Sequence, residues 1–330
     1  MQPTVSILIA ARNEEANILR CLQALERLAF PAEDLEVLIG NDRSEDNTGP
    51  LVAAFIAEKS NFRLLDINSR IGNQAGKANV LAQLAREARG RFFLITDADC
   101  EVSAGWISGM IRPFSNEGVG VVTGCTRMVA HTAFQKLQAI DWLAGQHVID
   151  QLARFGIPLT TMGNNMAVRR QAYEATGGYE HLPFSIVEDF QLFREILKHR
   201  YNFAHLFRPE VLAMTQPLPG FRAWLHQRKR WMIGAMELPW YFLAFLLLQT
   251  LFYPLLIGLS FWFPVLAVSI WGLKFGLQSF QLAVILKRFH CRDLLPFIPL
   301  YDPYVHIGYL MTLIFYLLPT KVIWKGRTYP

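Results

Sequence analysis

From Leu238 to Leu273 the chain carries no charged residue. About 20 apolar residues suffice for one helical crossing of a bilayer. The run is therefore one long span, or two spans joined by a tight turn, with Pro254–Pro264 the natural place for it. A hydrophobic share of 52% is high for a soluble protein, and the excess lies after Glu237. A further apolar stretch, Tyr304 to Leu318, is long enough for a marginal span. Just ahead of the long run stand Arg222, Arg228, Lys229 and Arg230. Basic residues flanking a span mark the cytoplasmic side. The chain thus divides into a cytoplasmic domain, 1–237, and a membrane region, 238–330, with two to three spans, as in a multi-pass protein of a bacterial inner membrane. The rival reading of a basic patch is nucleic-acid binding, but no recognition module accompanies it and the net charge is only +5.

Residues 1–237 alternate between two periodicities. Val5–Ala11, Leu35–Gly40, Phe62–Ile67 and Phe92–Ile95 are short apolar runs suited to buried strands. Between them, Ile18, Leu19, Leu22, Leu25 and Leu28 recur at helical spacing, as do residues in Leu51–Lys59 and Ala78–Ala88. Such alternation predicts βαβ units and a doubly wound, mostly parallel sheet. Gly118–Gly124 reads as a further strand, and His131–Arg154 and the segment opened by Glu188–Asp189 as helices. MQPTVSILIA has no basic start and runs straight into strand-like sequence, which predicts a strand rather than a signal peptide. Cys21, Cys100, Cys125 and Cys291 are widely spaced, which predicts neither a zinc site nor a disulfide framework and suits a reducing compartment. No G-x-G-x-x-G opens any of the helices, so a dinucleotide fingerprint is absent.

The strand Phe92–Ile95 runs into Thr96-Asp97-Ala98-Asp99. In extended backbone Asp97 and Asp99 emerge on one side. Ligands of open α/β sheets bind beyond the carboxyl ends of strands, where this pair sits. Two carboxylates there suit a hard divalent cation, which could neutralise a diphosphate. Alone, a D-x-D triplet is common and reads first as a cap for the next helix or as acids facing solvent.

The series VSILIAARNEE, VLIGNDRSEDNT, AGKANVL, FFLITDADCE, GNNMAVRR, VEDFQL and QRKRW resembles, in order and spacing, the inverting glycosyltransferases of family 2. The likeness is strongest to the membrane-attached branch with a Q-x-x-R-W motif, which includes ceramide glucosyltransferase and polysaccharide synthases. It covers about the first 235 residues, and the ending WKGRTY recurs in that branch. The resemblance implies a GT-A nucleotide-sugar fold and a metal-dependent hexosyltransferase using Mg2+ or Mn2+. It implies that Ala11 and Glu14 lie in the loop wrapping the nucleotide, that Asp42 contacts base or ribose, and that Asp97 faces the donor sugar. Asn41 replaces the aspartate often found before Asp42. Lys77 would serve the diphosphate and Asp99 the metal. Asp189 would be the general base, preceded by Glu188, with Val187 where threonine is common. Gln227, Arg230 and Trp231 would complete the catalytic set, although Arg and Trp are also ordinary interface anchors. Gly163, Asn164 and Asn165 would underlie the acceptor.

The expected partners are a nucleotide sugar, UDP-linked by preference, a lipid or glycan acceptor, and the membrane, without nucleic acid. A short tail favours single transfer to a lipid. The rival readings are a sugar nucleotidyltransferase, whose Gly- and Arg-rich first loop AARNEE does not match, and a silent scaffold or sugar-nucleotide sensor. Pro296, Pro299, Asp302 and Pro303 interrupt the approach to the last apolar segment. A broken or re-entrant stretch there is expected to keep the C-terminus cytoplasmic.

Overall fold

The structure is a computed structural model that describes residues 3–218, 220–324 and 327–329. The chain forms two compact units, one of Met1–Arg127 with Val148–Gln216, the other of Met128–His147 with Pro217–Pro330.

In the first unit, β1 (Val5–Ala11), β2 (Leu35–Asn41), β3 (Phe62–Asp66) and β4 (Phe92–Asp97) alternate with α1 (Ile18–Glu26), α2 (Thr48–Ile56) and α3 (Lys77–Glu87). After β4 come β5 (Glu101–Val102), α4 (Trp106–Ile111), β6 (Val119–Thr123) and β7 (Cys125–Met128). The long helix α5 (Ala133–Arg154) leads to β8 (Asn165–Arg169), α6 (Arg170–Ala175), α7 (Glu188–Lys198), β9 (Asn202–His205) and β10 (Leu212–Thr215). Seven strands form one sheet in the order β3-β2-β1-β4-β8-β6-β9, and β5-β10-β7 form a small second one. Pairs among β1 to β4 are parallel, as is β6 with β9. The exception is β8, antiparallel to both β4 and β6. Its GNNMAVRR sequence carries no alternation that announces a strand.

The central strands are apolar because both faces are covered: Val5, Ile7, Ile9, Val37, Leu38 and Leu94 are fully buried. At Gly40 on β2, a Cβ would come within 2.3 Å of Val80 on α3. The glycine lets the helix lie directly on the strand, above the edge where the next residues turn into Asp42.

The second unit contains α8 (Phe221–Ala235), α9 (Trp240–Ser260), α10 (Pro264–Arg288) and α11 (Ile298–Leu317). Among the described residues α9 and α10 are long and apolar enough to cross a membrane, and no part of the apolar window of α9 is buried. The turn between them is Phe261–Phe263, and Pro254 lies inside α9 rather than in the turn. Pro264 opens α10, where its missing N–H costs nothing. The last apolar segment is a continuous helix through Pro303, not a broken one. Its Asp302, 2% exposed, is held by Lys274 of α10 and Tyr253 of α9. A short hairpin follows, β11 (Val322–Trp324) with β12 (Arg327–Tyr329). Lys325 and Gly326 of the WKGRTY ending lie outside the described residues. The helix bearing Gln227–Trp231 belongs to the same compact unit as the apolar helices.

Candidate functional site

Parallel pairing brings the carboxyl ends of three strands to one edge. Ala11 pairs with Asn41, and Ala10 with Asp97. Antiparallel β8 starts at the same edge, with Asn165 beside Thr96. The loops after β1, β2 and β4 and before β8 therefore converge.

The first two loops are knitted together. Arg12 donates to the carbonyls of Asp42 (2.8 Å) and Arg43 (3.1 Å). The Glu14 N–H donates to Thr48 Oγ1 (2.7 Å) and that of Glu15 to Asp46 Oδ2 (3.0 Å). Burial pushes the Asp46 carboxyl up, but hydrogen bonds from the Thr48 side chain and backbone outweigh it and hold the group below its usual range. Glu14 and Asp42 are both 4% exposed. Asn41 accepts from the Ser44 N–H (3.2 Å) and donates to Asp66 (2.8 Å). It braces the turn, which explains an asparagine where a second carboxylate would repel Asp66. Arg12 and Thr48 are invisible to motif reading, because their contacts depend on loops 30 or more residues apart meeting in space, and the bracing by Asn41 depends on Asp66, 25 residues on.

Lys77 opens α3 behind Gly76, whose φ of +60° is left-handed. Its ammonium lies 2.5 Å from Asp97 Oδ1 and 3.5 Å from Glu188 Oε1, and donates to the Gly163 carbonyl (3.1 Å). Burial alone would lower its pKa, but the charges of Asp97, Glu188 and Asp189 raise it, so the cation persists. Asp189, in the first turn of α7, accepts the Gly163 N–H at 2.6 Å through Oδ2 and the Phe190 N–H at 2.8 Å through Oδ1. A Cβ on residue 163 would stand 2.8 Å from Asp189 Cβ and 2.9 Å from Oδ2. Nearby, the Tyr179 hydroxyl is buried with no hydrogen-bond partner among the described residues, and burial followed by Glu188 drives its pKa upward.

Asp97 and Asp99 offer oxygen donors, and Cys100 Sγ donates weakly to Asp99 at 3.5 Å. The thiols of Cys21 and Cys100 are pushed up by burial first, and then by Asp99 and Asp97. These shifts register a local surplus of negative charge. Among the described residues no three His, Cys, Asp or Glu side chains converge to hold an ion by themselves. This donor set fits Mg2+ or Mn2+, which keep waters and take phosphate oxygens, and does not fit a closed zinc shell.

The acceptor-side trio divides. Asn164 accepts from Thr96 Oγ1 (3.1 Å) by its carbonyl and from Thr126 Oγ1 (3.2 Å) by its side chain. Asn165 is fully buried; its Oδ1 accepts from Trp106 Nε1 (2.8 Å) and its Nδ2 donates to the carbonyls of Cys125 (2.7 Å) and Val211 (2.8 Å). Its amide is spent on the core, so it anchors the loop instead of facing an acceptor.

In the second unit, α8 presents two faces. Trp224, Arg228 and Trp231 share one, with the Arg228 guanidinium 5.1 Å and 5.0 Å from the two indoles and ion-paired to Asp141. Trp231 also packs on Trp142, ring centroids 4.9 Å apart. Gln227 is 9% exposed, and Arg230 is half-buried. The intervening Lys229, 6% exposed, donates to the carbonyls of Phe315 (3.2 Å) and Leu318 (2.7 Å), closing the end of α11.

Residues 6–177 match the family model described as Glycosyl transferase family 2, and residues 92–320 match that of Glycosyl transferase family group 2. The chain is 29% identical over 246 residues to the probable glycosyltransferase YdaM of Bacillus subtilis, covering 73% of this chain and 57% of that one. It is 28% identical over 243 residues to a beta-monoglucosyldiacylglycerol synthase of Trichormus variabilis, covering 71% and 49%. The chain thus spans about half the length of these relatives. Among solved structures, the mannosyltransferase PcManGT of Pyrobaculum calidifontis, in complex with GDP-mannose and Mn2+, superposes with a TM-score of 0.59. The match has 18% identity and covers 92% of this chain and 88% of that one; it shows a shared fold.

Proposed function

The chain belongs to glycosyl transferase family 2, and from that premise we propose that it transfers a hexosyl group, with inversion, from a nucleoside-diphosphate sugar to a hydroxyl of a lipid or membrane-delivered glycan. The observation that carries this reading is the cluster at the edge of β4, where Lys77 joins Asp97 and Glu188 and the Gly163 N–H orients Asp189. The loops holding Ala11, Glu14 and Asp42 take the nucleoside, with Asp42 accepting from base or ribose. Lys77 balances Asp97 and Glu188 in the resting site and adds positive charge beside an incoming diphosphate. Asp99, with Asp97, would hold Mg2+ or Mn2+, which when bound neutralises charge on the leaving diphosphate. Asp189 takes the proton of the acceptor hydroxyl as its oxygen bonds to the anomeric carbon, while the carbon–oxygen bond to the diphosphate breaks on the opposite face. Gly163 and Asn164 shape the floor under that acceptor. Gln227, Arg230 and Trp231 complete the family's Q-x-x-R-W contribution, as phosphate and sugar contacts. The α9–α10 hairpin lies in the membrane with the first unit on the cytoplasmic side, where Arg222 and Arg288 flank it.

The test uses membranes containing the full chain, with a panel of UDP- and GDP-hexoses and release of nucleoside diphosphate as the readout. Activity should require Mg2+ or Mn2+ and stop with excess EDTA. Asp189→Asn should bind donor yet turn over slower by about 10²-fold or more. Undiminished turnover in EDTA removes the metal role, and an active Asp189→Asn places the base elsewhere. Donor binding without any turnover favours a sensor.

A further inference from the structure

Helices α9 and α10 meet in the turn Phe261–Phe263. Trp271 Nε1 of α10 donates to the Tyr253 hydroxyl of α9 at 3.3 Å, so these residues stand level, equally far from the turn. At 1.5 Å per residue Tyr253 is about 10 Å from the end of α9, and Lys274 about 15 Å from the start of α10. In a hydrocarbon core about 30 Å thick both lie deep. Helix α11 comes to them there. Asp302 accepts from Tyr253 and from Lys274. One turn on, His306 Nε2 accepts from Lys274 at 2.8 Å and Nδ1 donates to the Gln249 carbonyl at 2.9 Å. An ammonium can only donate, which fixes that tautomer. Along α11 the partners on α9 step back from Tyr253 to Gln249, so α11 runs antiparallel to α9, away from the turn. From Asp302 to Leu317 it covers about 22 Å, and Tyr253 is about 20 Å from the start of α9. The two ends are therefore level. There the carbonyls of Phe315 and Leu318 accept from Lys229 of α8, the helix that precedes α9.

Length and hydropathy single out α9 and α10 and pass over α11, which carries Asp302, His306 and two prolines. Its depth is set by charge instead. A lysine midway along a span is costly unless a partner meets it, and Asp302 is that partner. Asp302 is the one charged residue of α11, and it is buried. The other side of the helix is an apolar stripe, where Leu300, Ile307 and Ile314, two turns apart, are all exposed. At the same depth Leu248 of α9 and Leu273 of α10 are exposed too, so the stripe continues the apolar surface of the hairpin. In water such a surface is an aggregation site; between acyl chains it needs no cover. We propose that α11 is embedded in the bilayer as a returning limb, its Leu300–Ile314 stripe against acyl chains and its end on the face from which α9 enters. No break in the helix is needed for the tail to return. This rests on α9 and α10 lying in the bilayer, and adds to them a third segment that composition does not reveal.

The test places the full chain in sealed phosphatidylcholine vesicles, with a fluorophore on one introduced cysteine at a time: Leu248→Cys on α9, Ile307→Cys or Ile314→Cys on α11. The four native cysteines are buried, which confines labelling of the folded protein to the new site. The quenchers are lipids with a nitroxide deep in the chain or near the head group, and aqueous iodide. Labels at 248 and 307 should lose fluorescence chiefly to the deep nitroxide, and the label at 314 to the shallow one. Iodide should leave 248 and 307 unquenched. An impermeant maleimide should reach Thr328→Cys and Phe221→Cys, the latter on α8, from the same face of the vesicle. A label at 248 that meets deep lipid while the one at 307 meets iodide puts α11 in water and overturns the proposal. A label at 307 shielded from both quenchers, with self-quenching that grows with the protein-to-lipid ratio, assigns the stripe to a second copy and also overturns it. Reaction of residues 221 and 328 from opposite faces refutes the return. A label at 248 open to iodide takes the hairpin itself out of the bilayer, and α11 with it.

Discussion

Replacing Gly163 by alanine tests whether the placement of Asp189, as opposed to its mere presence, sets the rate. Gly163 has no left-handed φ, so alanine adopts its backbone without strain. The added Cβ would meet Asp189 at 2.8 Å from Cβ, 2.9 Å from Oδ2 and 3.1 Å from Cγ. Ordinary carbon contact begins near 3.5 Å, so the carboxylate must retreat by about half an ångström or more. The same Oδ2 accepts the Gly163 N–H at 2.6 Å, and retreat stretches that bond towards the limit of useful geometry. A hydrogen bond to a charged group contributes about 1.5–3 kcal/mol. A displaced catalytic group costs up to about 10²-fold for each ångström. We therefore expect kcat of Gly163→Ala to fall by about 10- to 100-fold, with nucleotide affinity retained because the nucleoside loops are untouched. The assay pairs nucleoside diphosphate release with calorimetric binding of the free nucleotide. A variant with kcat within about twofold of the parent and unchanged stability refutes the view that this contact positions the base.

Lys274→Met should destabilise the second unit by about 3–5 kcal/mol, since it strands a carboxylate in an apolar bundle. The double variant Lys274→Met/Asp302→Leu should recover most of that loss; thermal unfolding in detergent reads both, and a single variant as stable as the parent sinks the reasoning. The His226 ring packs edge-on to Phe315 at 5.1 Å, and burial, then Arg222 and Lys229, hold its pKa below the ordinary 6.5. The unfolded chain therefore binds this proton first, so stability is full above pH 6.5 and falls as pH drops through that value towards the folded pKa. His226→Gln should flatten that part of the stability profile between neutral and mildly acidic pH, and an unaltered slope would assign the titration to another group.

Much of this molecule is legible as pattern. Short apolar runs such as VSILIAA and FFLIT, alternating with helical periods, suit strands buried on both faces, and the uncharged run after Glu237 suits an apolar medium or a core. The carboxylates Asp97, Asp99 and Asp189 stand out through the motifs TDAD and VED taken in series with the others, since each triplet alone also reads as the acidic start of a helix. What the sequence could not supply is everything set by distant segments meeting. Nothing local makes β8 a strand; its antiparallel place between β4 and β6 is fixed by pairing partners more than 40 residues away. Asn165 looks like its neighbours Gly163 and Asn164, yet only the fold puts Trp106, Cys125 and Val211 around its amide and turns it into the core. Lys77 and Asp189 are remote in sequence, and their shared hold on Gly163 appears once α3 and α7 are both in place. On α8, spacing puts Arg228 on one face with Trp224 and Trp231, but its partner Asp141 lies on another helix, 87 residues back. Periodicity reports which face is apolar; which charge answers which is decided only when the helices pack, because a buried ion pair selects its partner by distance and exclusion of water.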